Sequence, residues 1–139
     1  MTIVCPNLHG EILLLQYIVG CAATQMGVDD NPVLHLYSNN VTPSDSTVIA
    51  NLTEVATATG YNAITLSSVN WSVVQTGGGV TSAVYSEQTF AFGTNATAYG
   101  YYVTNQANQL LWLEQFSGSP FNIPDGGGTV SITAKLTLS

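Results

Sequence analysis

Cys5 and His9 stand four residues apart, a spacing at which an imidazole can lower a thiol pKa and activate it as a nucleophile. Nothing around the pair supports that chemistry. Cys5-Pro6 precedes a helix candidate, and no oxyanion-hole motif accompanies it. The chain also has no Arg and a single Lys, Lys135, to hold an anionic group. Cys5 and Cys21 are expected as buried free thiols, since two cysteines do not make a disulfide framework. His35, the second histidine, falls in an alternating apolar/polar run and is expected at the surface.

Oxygen ligands for a hard cation are available at Asp29-Asp30-Asn31 and at Asp125, but their spacing matches no EF-hand loop. Asp and Asn are also common turn formers that hydrogen-bond their own backbone. Glu11, Glu54, Glu87 and Glu114 contain the raw material for a glycosidase carboxylate pair, with nothing local to place two of them across a cleft. Gly77-Gly78-Gly79 and Gly126-Gly127-Gly128 lack the spaced glycines and the Lys of a phosphate cradle and are read as turns. Four glycosylation sequons, at Asn40, Asn51, Asn70 and Asn95, are what chance produces in Asn-, Ser- and Thr-rich sequence. The expectation is a chain with no catalytic residues, no cofactor and no metal site.

The elements that would carry these residues are strands. Asn7 to Gly20 is the one helix candidate, with Asn7 as N-cap and Gly20 as stop; Leu8, Ile12, Leu15 and Val19 share a face. Its other flanks are apolar too, through Leu13, Leu14, Tyr17 and Ile18, which points to contact with a neighbouring chain. From Val33 onward the period is two, and runs rich in Val, Ile, Thr and Tyr are separated by Gly, Pro, Asn and Ser. Over Thr129–Leu138, Val130, Ile132, Ala134, Leu136 and Leu138 face one way and the hydroxyls and Lys135 the other, which predicts one long strand. Val48 to Ala58 mixes helical and extended preferences. The spacing of strands and turns predicts a single all-β domain over 1–139: a helical arm at about 7–20 and an antiparallel β-sandwich, jelly-roll-like, over about 33–139.

Composition bounds the partners. Of 139 residues, 6% are charged and 45% are hydrophobic, so the surface must be built from Ser, Thr, Asn and Gln. The net charge of −7, with no Arg, argues against nucleic acid and against anionic membranes as partners. The apolar run Ile12–Val19 is too short to span a bilayer and has no basic residues before it, so neither a membrane span nor a signal peptide is expected.

The most informative positive feature is the set of consecutive large apolar residues: Tyr101-Tyr102, Leu110-Leu111, Trp112-Leu113. Neighbours in a strand point to opposite faces, and one inter-sheet core covers only one face. The remainder calls for a loop or a second subunit, and self-association is the economical reading. Tyr102, Trp112 and Phe121, with Leu13, Leu14, Tyr17 and Ile18 of the helix, are the candidate contact residues. Exposed aromatics between Tyr99 and Phe121 alternatively suit glycan binding.

Leu34-His35-Leu36-Tyr37-Ser38-Asn39-Asn40-Val41-Thr42-Pro43, Gly60-Tyr61, Trp71 and Tyr99-Gly100-Tyr101-Tyr102-Val103-Thr104 continue into Leu111-Trp112-Leu113-Glu114-Gln115-Phe116 and Pro120-Phe121-Asn122-Ile123. From about Leu34 to the C-terminus this order resembles the capsid decoration (cement) proteins of tailed bacteriophages. The resemblance implies a β-sandwich that forms homotrimers on the capsid surface of a virion, binds between copies of the major capsid protein, and is made in the host cytoplasm. It also fits a head-fibre or tail-associated receptor- or glycan-binding module. One departure is the scarcity of charge: such proteins carry more charged residues, for example a basic residue where His35 stands, so an interface role for those charges does not transfer.

Overall fold

The computed structural model describes residues 31–76 and 78–138. The helical arm expected over about 7–20, with Leu13, Leu14, Tyr17 and Ile18, lies outside the described residues. The described chain is all-β, and every strand pairing is antiparallel. It divides into two compact units, each assembled from separated stretches of sequence.

In the first unit (described residues 31–32, 66–76, 78–87 and 133–138), β3 (Trp71–Thr76) and β4 (Val80–Tyr85) form a hairpin across the glycine turn. β11 (Lys135–Leu138) adds to the other edge of β4. As the central strand, β4 is buried along nearly its whole length, and Ser82 pairs its hydroxyl with Thr137 at 3.0 Å. Trp71 meets Tyr85 edge-on at 5.1 Å, and the Tyr85 hydroxyl accepts the Ser67 N–H. That phenol therefore serves both apolar burial and the backbone entering β3.

The second unit (Val33–Thr65 and Gln88–Ile132) contains three sheets. The largest has the order β2-β1-β7-β8, built from β1 (Val33–Tyr37), β2 (Ile64–Thr65), β7 (Gly100–Thr104) and β8 (Leu110–Gln115). β5 (Gln88–Phe92) pairs with β10 (Gly128–Ile132), and β6 (Ala96–Ala98) with β9 (Phe121–Ile123). Phe90 and Phe92 alternate inward on β5, and both stack on Tyr61. The turn between β7 and β8 is tied by Asn105, whose side chain accepts the Gln109 N–H at 2.9 Å. Asn108 takes the left-handed backbone, φ 59°, that Asn tolerates better than most residues.

Two expectations are revised, and the open one over 48–58 is resolved. The long strand over Thr129–Leu138 is two strands, β10 and β11, which belong to different units and pair with β5 and β4. The alternation itself persists through the break: Ile132 and Ala134 are buried while Thr133 is exposed. Over 48–58, two 3-10 turns, Ile49–Asn51 and Thr57–Thr59, flank an extended piece that bridges Glu54 to Tyr37. Each of the mixed preferences is thus satisfied in its own place. His35 is not at the surface: it is 9% exposed, because β7 crosses beside β1 and lays Tyr102 over it.

Candidate functional site

β1 is flanked on one side by β7 and on the other by β2, but β2 reaches only Val33 and Leu34. Past that point the extended segment around Glu54 takes over: Val55 N–H donates to the Leu36 carbonyl at 3.0 Å, and Ser38 N–H to the Thr53 carbonyl. The Leu36 N–H lies between the two partners, and the Tyr61 hydroxyl accepts it at 3.0 Å. Gly60, which caps the Thr57–Thr59 turn with φ 91°, delivers Tyr61 to that place. A Cβ on Gly60 would be strained by its φ and would also sit 3.0 Å from the Gly93 nitrogen.

The same hydroxyl donates onward to Glu54 Oε1 at 2.9 Å, and that oxygen also accepts from His35 Nδ1 at 2.8 Å. The other ring nitrogen, Nε2, is 3.0 Å from Thr104 Oγ1. With Nδ1–H donating to the carboxylate, Nε2 accepts the Thr104 hydroxyl proton, and every polar atom in the chain of contacts has a partner. His35 and Tyr102 face each other directly across β1 and β7, and their rings stack at 4.6 Å and 8°.

Hydroxyl, imidazole and carboxylate stand in the order of a nucleophile, its base and the group that orients the base. Thr104, however, is 1% exposed, and its hydroxyl is closed to any substrate. The arrangement instead clamps β1, β7 and the 53–55 segment through one carboxylate oxygen. No local spacing announces it, since Glu54 is 19 residues from His35 and Thr104 is 69.

Burial, reinforced by the charge of Glu54, raises the Tyr102 phenol far above its ordinary pKa. Burial likewise raises Tyr61, where the Leu36 N–H opposes the shift and Glu54 adds to it. Burial and then the charge of Glu114 push Tyr37 up to about 12. A phenol raised in the folded state favours the protonated form there, so above the free pKa of about 10 the unfolded chain binds fewer protons than the folded one. Stability contributed this way is complete below about pH 10 and is lost as pH rises through the interval up to about 12 for Tyr37. Denaturant titrations at stepped alkaline pH, with the phenolates of Tyr37, Tyr61 and Tyr102 followed in parallel through single Tyr→Phe variants, are expected to show those three phenolates appearing together with unfolding. Titration of these three at the ordinary phenol pKa in a chain that stays folded would contradict this.

The outward-facing residues are of a different kind. β8 is the end strand of its sheet, and its register with β7 skips one residue: Val103 opposes Trp112 and Thr104 opposes Leu110. Leu111 is the extra residue of this β-bulge and is 40% exposed. Across a groove of about 440 Å³ stand Val48, 54% exposed, and Ile49 from the first 3-10 turn, with Asp45 at the rim. The bulge interrupts the regular edge, which disfavours simple strand addition and leaves side chains to make contacts here.

Of the candidate contact residues, Trp112 lines this groove and Phe121 is 48% exposed at the start of β9. Tyr102 does not present to a partner: at 3% exposure its ring is occupied by His35. The reason is that β7 is a central strand buried at all five residues, so the chain itself covers both of its faces. Of the consecutive apolar pairs Tyr101-Tyr102, Leu110-Leu111 and Trp112-Leu113, the exposed member is Leu111, on the end strand β8.

Among the described residues no three His, Cys, Asp or Glu side chains gather as metal ligands, and no helix is long and apolar enough to cross a membrane. Comparison of the chain with protein-family models, with curated proteins and with solved structures finds no match.

Proposed function

We propose that this chain is a virion structural protein, a capsid decoration (cement) protein that acts as a homotrimer bound between major capsid proteins and has no catalytic role. The observation that carries the reading is the groove of β8, where Leu111 and Val48 stay exposed in a chain with very few charges. An apolar patch with a polar rim, here Ser44, Asp45 and Thr47, is the anatomy of a protein interface, and repetition on a lattice multiplies weak contacts into avidity. The resemblance over Leu34 to the C-terminus supports the same assignment. Leu13, Leu14, Tyr17 and Ile18 are further contact candidates on sequence grounds, alongside Trp112 and Phe121. Neither nucleic acid nor membrane is a partner in this reading, and the protein is placed on the capsid surface.

Light scattering across a range of concentrations tests the self-association. The expected mass is three times the 14.6 kDa of the chain, with co-sedimentation on capsid shells. The double substitution Val48→Asp, Leu111→Asp is expected to weaken trimer formation or shell binding at least about tenfold, equivalent to about 1.4 kcal/mol, while leaving the melting temperature of the fold nearly unchanged. A protein that is monomeric throughout and never binds shells would sink the proposal. The head-fibre or tail-associated glycan-binding reading stands second, favoured by the aromatic groove beside Phe121.

A further inference from the structure

A second groove, of about 400 Å³, opens in the same unit where the end of β8 meets β9 and β10. Its apolar wall is Phe116 and Phe121, edge to face at 5.2 Å and 72°. Phe121 is 48% exposed, whereas Phe116 is braced by the buried ring of Tyr101 at 6.4 Å. Glu114 stands in the same groove, and its Oε2 accepts a 2.8 Å hydrogen bond from the Tyr101 hydroxyl. One phenol therefore steadies both the aromatic wall and the carboxylate. Thr129 and Ser131 of β10 add hydroxyls to the rim, with Ser131 held by Thr89 at 2.9 Å.

A ligand that fits must present an apolar face to a ring and hydroxyl donors to a carboxylate in the same few ångströms. A pyranose does this: its axial C–H groups pack on an aromatic face while its equatorial hydroxyls point outward. Charge narrows the class. No cationic side chain lines the groove and the chain carries −7 overall, so sialylated, sulfated and phosphorylated sugars are repelled. The volume lies near the lower end of the range for small-ligand sites, suited to one terminal sugar ring and part of the next.

We propose that the groove formed by Phe116, Phe121, Glu114 and the Thr129–Ser131 rim binds a neutral saccharide, with Phe121 as the stacking platform and Glu114 as the hydroxyl acceptor. The inference deepens the second, glycan-binding reading and rests on it, taking Phe121 as a sugar contact and not a subunit contact; the β8 groove with Leu111 and Val48 is a separate surface of the unit.

Titration calorimetry or ligand-observed NMR of the full chain with glucose, galactose, mannose and N-acetylglucosamine, and with sialic acid as the charged comparison, tests it. At least one neutral sugar is expected to bind with millimolar affinity, and sialic acid is not. Phe121→Ala and Glu114→Gln are each expected to weaken that binding about tenfold or more, with the melting temperature of Glu114→Gln close to that of the parent. Absence of binding to all four neutral sugars overturns the proposal. So does binding that is indifferent to both substitutions, or equal binding of sialic acid. If Phe121→Ala instead lowers the mass in solution while no sugar binds, the groove is an interface between copies and the saccharide assignment fails.

Discussion

Gly100→Ala is expected to destabilise the fold by about 3 kcal/mol or more, a loss of about 10 °C in melting temperature. Gly100 opposes Tyr37 on one side and Gln115 on the other, in the middle of the four-stranded sheet. A methyl there would fall onto the Glu114 carbonyl and within 2.5 Å of the Tyr37 hydroxyl. The Tyr37 ring lies over β7 because Gly100 has no side chain. Neither obstacle can move freely: the carbonyl belongs to a paired strand, and Tyr37 is fully buried. The cost is therefore steric and falls on the folded state, unlike the modest gain that Gly→Ala brings where the backbone has room. Thermal unfolding by circular dichroism decides it, and a variant within about 1 kcal/mol of the parent would show that β7 and β8 are further apart than described. The double variant Gly100→Ala, Tyr37→Leu should recover only part of the loss, because the clash with the backbone carbonyl remains.

Tyr61→Phe is expected to cost about 1–3 kcal/mol, although it removes a single oxygen. The ring keeps its stacking on Phe90 and Phe92, so apolar burial is nearly unchanged. What is lost is the acceptor for the Leu36 N–H, at a residue with no solvent exposure, where no other strand reaches. A buried donor left without a partner costs its full desolvation, and Glu54 loses one of its two donors at the same time. Glu54→Gln is the informative comparison. It leaves an amide oxygen able to accept from Tyr61 and His35, and the side chain is 43% exposed, so a loss of about 1 kcal/mol is expected. Urea midpoints at constant m-value measure both. A larger loss for Glu54→Gln than for Tyr61→Phe would mean that the carboxylate charge, not the Leu36 N–H, dominates the clamp.

Both variants act where β1 changes partners, and that place is poorly legible in sequence. Leu34-His35-Leu36-Tyr37 reads as a strand with an inner and an outer face, and the inner face is correct: Leu34 and Leu36 have no exposure. Alternation reports which residues share a face. Whether the second face meets water depends on what the fold lays over it, and here Tyr102 and Thr104 arrive from β7, far along the chain. An imidazole in a strand costs little to bury once a hydroxyl, a carboxylate and an aromatic ring meet it, but none of the three is near it in sequence. The groove with Glu114, Phe116 and Phe121 is more legible, because its wall comes from a short stretch around the β8–β9 turn, yet Thr129 and Ser131 join it only through the packing of β10.

By itself the sequence determined the all-β class, the inward placement of Leu34, Leu36, Ile132 and Ala134, and a composition rich in hydroxyls and amides with almost no charge. Period-two patterning, β-branched residues and turn glycines are local properties, and they survive folding because each strand must bury one face whatever its partner is. Tertiary structure alone decided the pairing of β1 with β7, the division of Thr129–Leu138 between two units, and the enclosure of His35 and Tyr102. Those outcomes rest on contacts between residues separated by tens of positions, where chain connectivity and steric fit select among partners that local pattern leaves equivalent.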